Sequence, residues 1–266
     1  MQPASRIHQR NSRRNDILRA YAQRVNSLGG KFITGADVGI NGKDVELLKL
    51  ESNYIVGTKS DPVKFTSLGI LFAIQTCLKQ ILGSEDVGGK TFAIQGVGKT
   101  GSELLRLIYP FAEKIYVSDI DALKLKLAKK KFPKVMISHP QEIYRKEVDV
   151  FCPCALSNAI TNKNISFLRC KVIAGSANNQ LEDDYVGELL QKMGILYAPD
   201  YVVNSGGLIA VVDEFENKSF SESKIEKKIK KIKKRLQFIF DKSKKTNRAT
   251  NIIANNLAEK IFNKFI

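Results

Sequence analysis

The sequence predicts an α/β protein built on a doubly wound parallel sheet, with a smaller segment before it and helices after it. Three observations carry that prediction. Six short apolar strand candidates alternate with helical segments between residues 91 and 197, the pattern of a parallel sheet covered on both faces. A glycine-rich string, Gly96 to Gly101, separates the first strand from the first helix of that series. An aspartate, Asp119, closes the second strand.

Taken in order, Ile17, Leu18, Tyr21, Ala22 and Val25 recur at helical spacing and predict a helix over 14–27, ended by Leu28-Gly29-Gly30. Lys31-Phe32-Ile33 reads as a short strand, and 35–44, with three Gly, two Asp and an Asn, as a loop. The apolar period from Leu68 to Leu82 predicts a helix over 66–82, followed by a turn from Asp86 to Lys90. Strands are expected at 91–95, 114–118, 135–137, 148–151, 172–174 and 195–197, with a Lys-rich helix over 121–131. A long helix is expected from near Asp213 to about Lys242, with a weak spot near Ser219. Within it Ile225, Ile229, Ile232, Leu236 and Ile239 step by four and three, a stripe about two heptads long that suits packing on the body. A last helix spans 250–265. There is no internal repeat.

The formal charge of +16 on 266 residues raises the question of a polyanionic partner. Its distribution argues against one. Residues 1–24 hold six Arg and one Asp, residues 221–248 hold twelve Lys or Arg and three acids, and 25–220 sum to about +1. The basicity sits on two solvated helix faces, so neither nucleic acid nor a membrane is an expected partner. No run of 18 uncharged apolar residues occurs, and the arginine-rich start lacks an apolar h-region. Four Cys, at 77, 152, 154 and 170, follow no zinc spacing, and no metal is expected. Cys152 and Cys154 read as small buried side chains. The expected location is the reducing cytoplasm.

Gly96-Val97-Gly98-Lys99-Thr100-Gly101 is a G-x-G-x-x-G that follows a strand and opens a helix, with Asp119 18 residues beyond Gly101. That context marks a Rossmann-type dinucleotide site. Gly96 permits the tight turn, Gly98 lets the backbone approach a pyrophosphate, and Gly101 lets helix and strand pack closely. The helix N-terminus offers N–H groups and a positive dipole end to phosphates. Asp119 accepts hydrogen bonds from a ribose 2′-OH and repels a 2′-phosphate, which favours NAD over NADP. Lys99 beside the pyrophosphate either adds charge or is simply solvated.

Further strings carry a resemblance. Thr34-Gly35-Ala36-Asp37-Val38-Gly39, Thr66 to Gly69 as T-x-x-G, Gln95 to Gly98, Pro153-Cys154-Ala155-Leu156, AGSANNQL over 174–181 and APDYVVNSGGLI over 198–209 together resemble the Glu/Leu/Phe/Val dehydrogenase family, most closely its leucine dehydrogenase branch, from about residue 14 onward. The resemblance implies NAD-coupled oxidative deamination of a branched-chain or related L-amino acid to the 2-oxo acid. It implies that Asp37 is a catalytic carboxylate and that Thr66 lies near the nicotinamide carboxamide. Val97, Ile120, Ala155 and Leu156 join the cofactor set, Ala177 and Asn178 border the nicotinamide ribose, and Asn204 holds substrate or nicotinamide. Val211 lies near the substrate side chain. From its residues alone, Asp37 in a Gly-rich loop reads equally as a turn residue.

The same resemblance exposes a departure. The family's two active-site lysines precede the T-x-x-D-V-G string, one of them after a glycine run, and no Gly-Gly-x-Lys string stands before Asp37 here. The stretch between Val56 and Thr66 is also shorter than usual for the family. The expectation is a truncated substrate-binding remnant over 1–60, an NAD-binding domain over 61–212 and C-terminal helices over 213–266 that pack back toward the remnant. Such a chain is inactive alone, and works as a homo-oligomer or with a complementing chain. The alternatives are a silent NAD-binding protein and one half of a split dehydrogenase.

Overall fold

The structure is a computed structural model and describes residues 4–35, 37, 39–57, 59–217 and 221–264. Ala36 and Val38 of the T-x-x-D-V-G string, and Ser219 of the expected weak spot, lie outside the described residues. The chain divides into two compact units, Met1–Pro62 with Ala210–Ser221, and Val63–Ile209 with Glu222–Ile266.

The first unit holds α1 (Ala4–Ser27), β1 (Thr34–Gly35), α2 (Gly42–Glu51) and β2 (Ile55–Val56). Leu18, Ala22 and Val25 of α1 are buried with Val45 and Leu48 of α2 and Ile55 of β2. Ile17 and Tyr21, assigned to the same stripe, are exposed, as are Phe32, Ile33 and Leu50. The strand expected at 31–33 forms at 34–35 instead, where Thr34 N–H donates to Tyr54 O at 3.0 Å and β1 runs parallel to β2. The loop expected to Lys43 and Asp44 ends at Asn41. Its side chain accepts from Lys43 and Asp44 N–H, while Asp44 accepts from Asn41 N–H, a reciprocal cap that starts α2.

The second unit contains α3 (Pro62–Leu82), β3 (Thr91–Gln95), α4 (Lys99–Ile108), β4 (Lys114–Ser118), α5 (Ala122–Lys131), β5 (Met136–Ile137), β6 (Val148–Pro153), β7 (Cys170–Ile173), α6 (Asp184–Lys192), β8 (Leu196–Tyr197) and α7 (Asp200–Val203). Its six strands are parallel in the order β5-β4-β3-β6-β7-β8. The chain winds outward from β3 to β5, then from β6 to β8 in the opposite direction. Right-handed crossovers therefore put the two series of connections on opposite faces. The order reverses between β3 and β6, and ligands of such sheets bind beyond the strand ends at that point. Residues 91–95 and 114–118 form strands with the predicted bounds.

By length and composition α3 would suffice to cross a bilayer. Here Phe65, Ile70, Ala73, Ile74, Cys77 and Leu78 bury its apolar face within the unit. The long C-terminal helix is instead three elements: α8 (Gly206–Asn217), α9 (Glu222–Ile229) and α10 (Lys231–Thr246), followed by α11 (Thr250–Phe262). The stripe Ile225, Ile229, Ile232, Leu236 and Ile239 is fully buried. Helices α9 to α11 belong to the sheet unit, and α11 packs on α6 and β8. The residues grouped with the N-terminal unit are Ala210–Ser221. Within the sheet unit the stripe meets α3 and α7: Ile232 Cδ1 lies 3.1 Å from where a Cβ on Gly69 would stand.

Candidate active site

β3 delivers the chain to the glycine turn at the point where the sheet order reverses. Gly96 has φ of +93°, which a side chain would strain. Its N–H donates to Ser118 O at 2.7 Å, and a Cβ there would lie 2.8 Å from Ala155 N. A Cβ on Gly101 would lie 2.0 Å from Gly96 O. The protein's own packing thus requires both glycines. Gly98 differs. It stands at the N-cap of α4 with an ordinary φ of −69°, no side chain caps the helix, and a Cβ there would meet nothing within 4 Å. The first N–H groups of α4 and its positive dipole end therefore open onto space at Gly98. That fits the phosphates of a dinucleotide. Lys99 beside it is exposed, and Thr100 O accepts from Ser67 Oγ at 3.2 Å, which ties α3 to the loop.

Asp119 stands at the end of β4, half-buried. One carboxylate oxygen accepts Val97 N–H at 2.9 Å and the other accepts Asp121 N–H at 2.9 Å. It holds the glycine turn by its backbone, a task that sequence reasoning did not assign to it. Ile120 beside it is exposed, a feature suited to an apolar ligand face. The turn is braced from below by Gln95, whose Nε2 donates to Tyr144 Oη at 2.6 Å. Burial pushes the Tyr144 phenol up, and the bond from Gln95 partly offsets it.

β6 and β7 bring the remaining strings to the same end of the sheet. Cys154 N–H donates to Gln95 O at 2.7 Å, so Ala155 and Leu156, both exposed, emerge beside the glycine turn. Ala177 N–H donates to Pro153 O at 3.0 Å. Asn204 Nδ2 donates to Asn178 Oδ1 at 2.7 Å and lies 3.4 Å from Ser176 O. The Asn204-Ser205-Gly206-Gly207 string is not only a turn: α8 begins at Gly206. A Cβ on Gly206 would stand 2.0 Å from Phe65 O and 3.3 Å from Thr66 Cα, which explains the glycine and sets Thr66 beside this string. All the expected cofactor residues lie in the sheet unit, at the C-terminal ends of its central strands or on the helices packed there.

Asp37 and Val211 belong to the other unit. Asp37 is exposed, and its O accepts Ile40 N–H at 3.0 Å. Its loop is anchored by Arg14, which pairs with Asp44 at 2.8 Å and donates to Gly39 O at 2.7 Å. The Arg14 hydrogen bond, with that from Asn41 N–H, holds the Asp44 carboxyl below the usual carboxylate range. Val211 Cγ1 lies 3.4 Å from where a Cβ on Gly57 would stand. One turn on, buried Glu214 accepts Lys59 N–H, Ser60 N–H and Ser60 Oγ–H at 3.1, 2.9 and 2.8 Å. Sequence reasoning missed Arg14, Asp44 and Glu214. Only the Asn41-x-x-Asp44 cap was visible in principle.

Burial pushes the Cys152 and Cys154 thiols up, and that of Cys170 up to about 12, so all three are protonated at neutral pH. Among the described residues no group of three His, Cys, Asp or Glu is placed to hold a metal.

Fold and site together define a dinucleotide-binding α/β protein with a second unit that carries an exposed carboxylate loop. A family model described as Glutamate/Leucine/Phenylalanine/Valine dehydrogenase matches residues 116–261. L-tryptophan dehydrogenase from Nostoc punctiforme is 41% identical over 249 residues, 92% of this chain and 70% of that protein. Leucine dehydrogenase from Geobacillus stearothermophilus is 34% identical over 256 residues, 94% of this chain and 69% of that protein. The crystal structure of L-tryptophan dehydrogenase from Nostoc punctiforme superposes with a TM-score of 0.79 at 39% identity, over 94% of this chain and 73% of that one. The chain belongs to the Glu/Leu/Phe/Val dehydrogenase family, a family of NAD(P)-dependent amino-acid dehydrogenases.

Proposed function

We propose that this chain supplies the cofactor-binding half of an NAD-dependent dehydrogenase that deaminates a hydrophobic L-amino acid, of the branched-chain or related class, to its 2-oxo acid. The observation that carries the reading is the Gly98 opening at the head of α4, flanked by a carboxylate, Asp119, one oxygen of which accepts Val97 N–H of the turn. Gly96, Val97, Gly98, Lys99, Thr100 and Gly101 would hold the pyrophosphate. Asp119 and Ile120 would meet the adenosine, with the Asp119 charge disfavouring a 2′-phosphate. Ala155, Leu156, Ala177, Asn178, Asn204 and Thr66 would border the nicotinamide riboside. When bound, the nicotinamide supplies the hydride acceptor. Asp37 carries a proton to and from the substrate amino group, and Val211 contacts its side chain. Apolar substrates are supported by the relatives' names, which run over leucine, phenylalanine and tryptophan.

The reaction also needs a lysine to activate water and neutralise the substrate carboxylate. Residues 1–36 hold no Gly-Gly-x-Lys string, so these 266 residues are proposed to act only together with a segment that brings one. That segment comes either from the same polypeptide or from a complementing chain in a larger assembly. The test is NADH formation with leucine, valine, isoleucine, phenylalanine, tryptophan and glutamate, first with these residues alone and then with the lysine-bearing segment added. Activity with apolar substrates only after addition supports the reading. Absence of turnover in both, with NADH still bound, would make the chain a silent NAD-binding protein.

A further inference from the structure

The turn between β7 and Asn179 carries Asn178 but has no secondary structure of its own. Its backbone groups must still be paired where they are buried. On one side it is pressed against β6: a Cβ on Gly175 would stand 2.1 Å from Pro153 O. On the other side lies the Gln180 side chain, with no exposed surface. Its Nε2 donates to Gly175 O at 2.9 Å and to Ala177 O at 3.0 Å. Both amide hydrogens are thereby used, and the side chain fills the inside of the turn. Its backbone is held as firmly. Gln180 N–H donates to buried Asp200 at 2.7 Å, and Gln180 O accepts Ile160 N–H at 2.9 Å. The other Asp200 oxygen accepts Tyr201 N–H at 2.6 Å, so the brace ends on α7. That is the short helix that leads into Asn204. Both ends of the Asn178–Asn204 hydrogen bond therefore depend on one buried chain of contacts.

We infer that Gln180 is a positioning residue for the cofactor: by clamping Gly175 O and Ala177 O, with Asp200 behind it, it fixes the turn that presents Asn178 to Asn204. This rests on the proposed placement of the nicotinamide riboside at Ala177, Asn178 and Asn204. An amide is the side chain suited to the task. It offers two donors from one atom without bringing a charge into a buried site, whereas a carboxylate there would face two carbonyl oxygens.

The test reads NADH affinity of the whole chain by fluorescence titration, beside a thermal melt of each variant. Gln180→Met keeps the bulk and removes both donors. It is expected to weaken NADH binding about tenfold, the equivalent of one to two neutral hydrogen bonds. Gln180→Glu is titrated between pH 8 and pH 5. At high pH its carboxylate repels both carbonyls. As pH falls the protonated carboxyl regains a donor, so affinity should recover toward that of the wild-type chain measured at the same pH. A residue that only filled space would leave Gln180→Met, of similar bulk, with the affinity of the wild-type chain. Asn178→Ala tests the underlying reading separately. If Asn178→Ala leaves NADH affinity unchanged, the nicotinamide placement is wrong. If Asn178→Ala weakens binding while folded Gln180→Met does not, the positioning role is overturned.

Discussion

Replacement of Asp119 separates two jobs that fall on one carboxylate. Its oxygens accept Val97 and Asp121 N–H, each at 2.9 Å. A hydrogen bond to a charged group contributes about 1.5–3 kcal/mol, and an exposed one less. Val97 is buried, so its N–H has no ready water to turn to, whereas Asp121 is partly open. Asp119→Ala should therefore cost roughly 2–4 kcal/mol in the organisation of the turn. NADH affinity should fall on the order of 30-fold or more, since about 1.4 kcal/mol is a factor of ten. Asp119→Asn keeps one oxygen acceptor and removes the charge. That charge is the proposed barrier to NADPH. A 2′-phosphate of nearly two charges at about 4 Å is repelled by about 2 kcal/mol even at the dielectric of water, roughly a 30-fold preference for NADH. Fluorescence titrations with NADH and NADPH at low and high salt read both effects. The wild-type chain should prefer NADH, and Asp119→Asn should bring the two affinities close together, with the smaller loss toward NADH. A preference that survives unchanged in both variants would refute the assignment of Asp119 to the ribose.

Gly98→Ala should leave the melting temperature within a degree or two, because a Cβ there meets nothing within 4 Å, yet weaken NADH binding at least tenfold; unaltered affinity would remove the pyrophosphate from this turn. Gly101→Ala should damage both, since its Cβ would fall 2.0 Å from backbone at Gly96 O, and a stable variant in the same melt would contradict that packing. Ile232→Ala should destabilise the sheet unit by about 2–5 kcal/mol in denaturant titration, the range for a large-to-small change at a fully buried site; a loss below about 1 kcal/mol would mean the stripe is not core. Asp149 gives a pH test. Burial raises its carboxyl, but the bonds from Lys171 at 2.8 Å and from Thr91 outweigh this and hold it below the usual range. A depressed folded value stabilises the protein above the unfolded pKa of about 3.9, and the contribution fades as pH falls through the lower folded value. The stability gap between wild type and Asp149→Asn should hold steady above about pH 5 and close below about pH 4; a gap that widens in acid would reverse the sign.

Where local pattern and tertiary demand coincide, the sequence could be read to the residue. Strands 91–95 and 114–118 are such a case, for each is a buried run bounded by a turn signal, and Gly96 ends the first with a positive φ. Where the demand is tertiary, the reading slipped. The strand expected at 31–33 sits at 34–35 because its partner, Ile55–Val56, fixes the register, and nothing local announces that pairing. The start of helix α2 is hidden by Gly42 and the glycines before it, although Asn41-x-x-Asp44 carries its cap. Gly206 looked like turn punctuation, yet its role is to let a helix start pass Phe65 O. The C-terminal stripe is legible as a buried face, but periodicity says only that a face is covered and never by what.

The same distinction explains the site. The identities at Gly96, Gly98, Gly101 and Asp119 were legible because each is tied to a local geometric need. The structure then divides that set. Gly96 and Gly101 are explained in full by the packing of Ala155 and of Gly96 O, and would be glycine in a protein that bound nothing. Gly98 has no such internal reason, as its Cβ direction is empty. Asp119 lies between the two cases, since its backbone bonds account for an acceptor at that position but not for a preference between cofactors. The residues of the motif therefore do not point equally to a bound dinucleotide. Gly98 and the uncapped head of α4 point to it, for neither has a reason in the packing of the free protein.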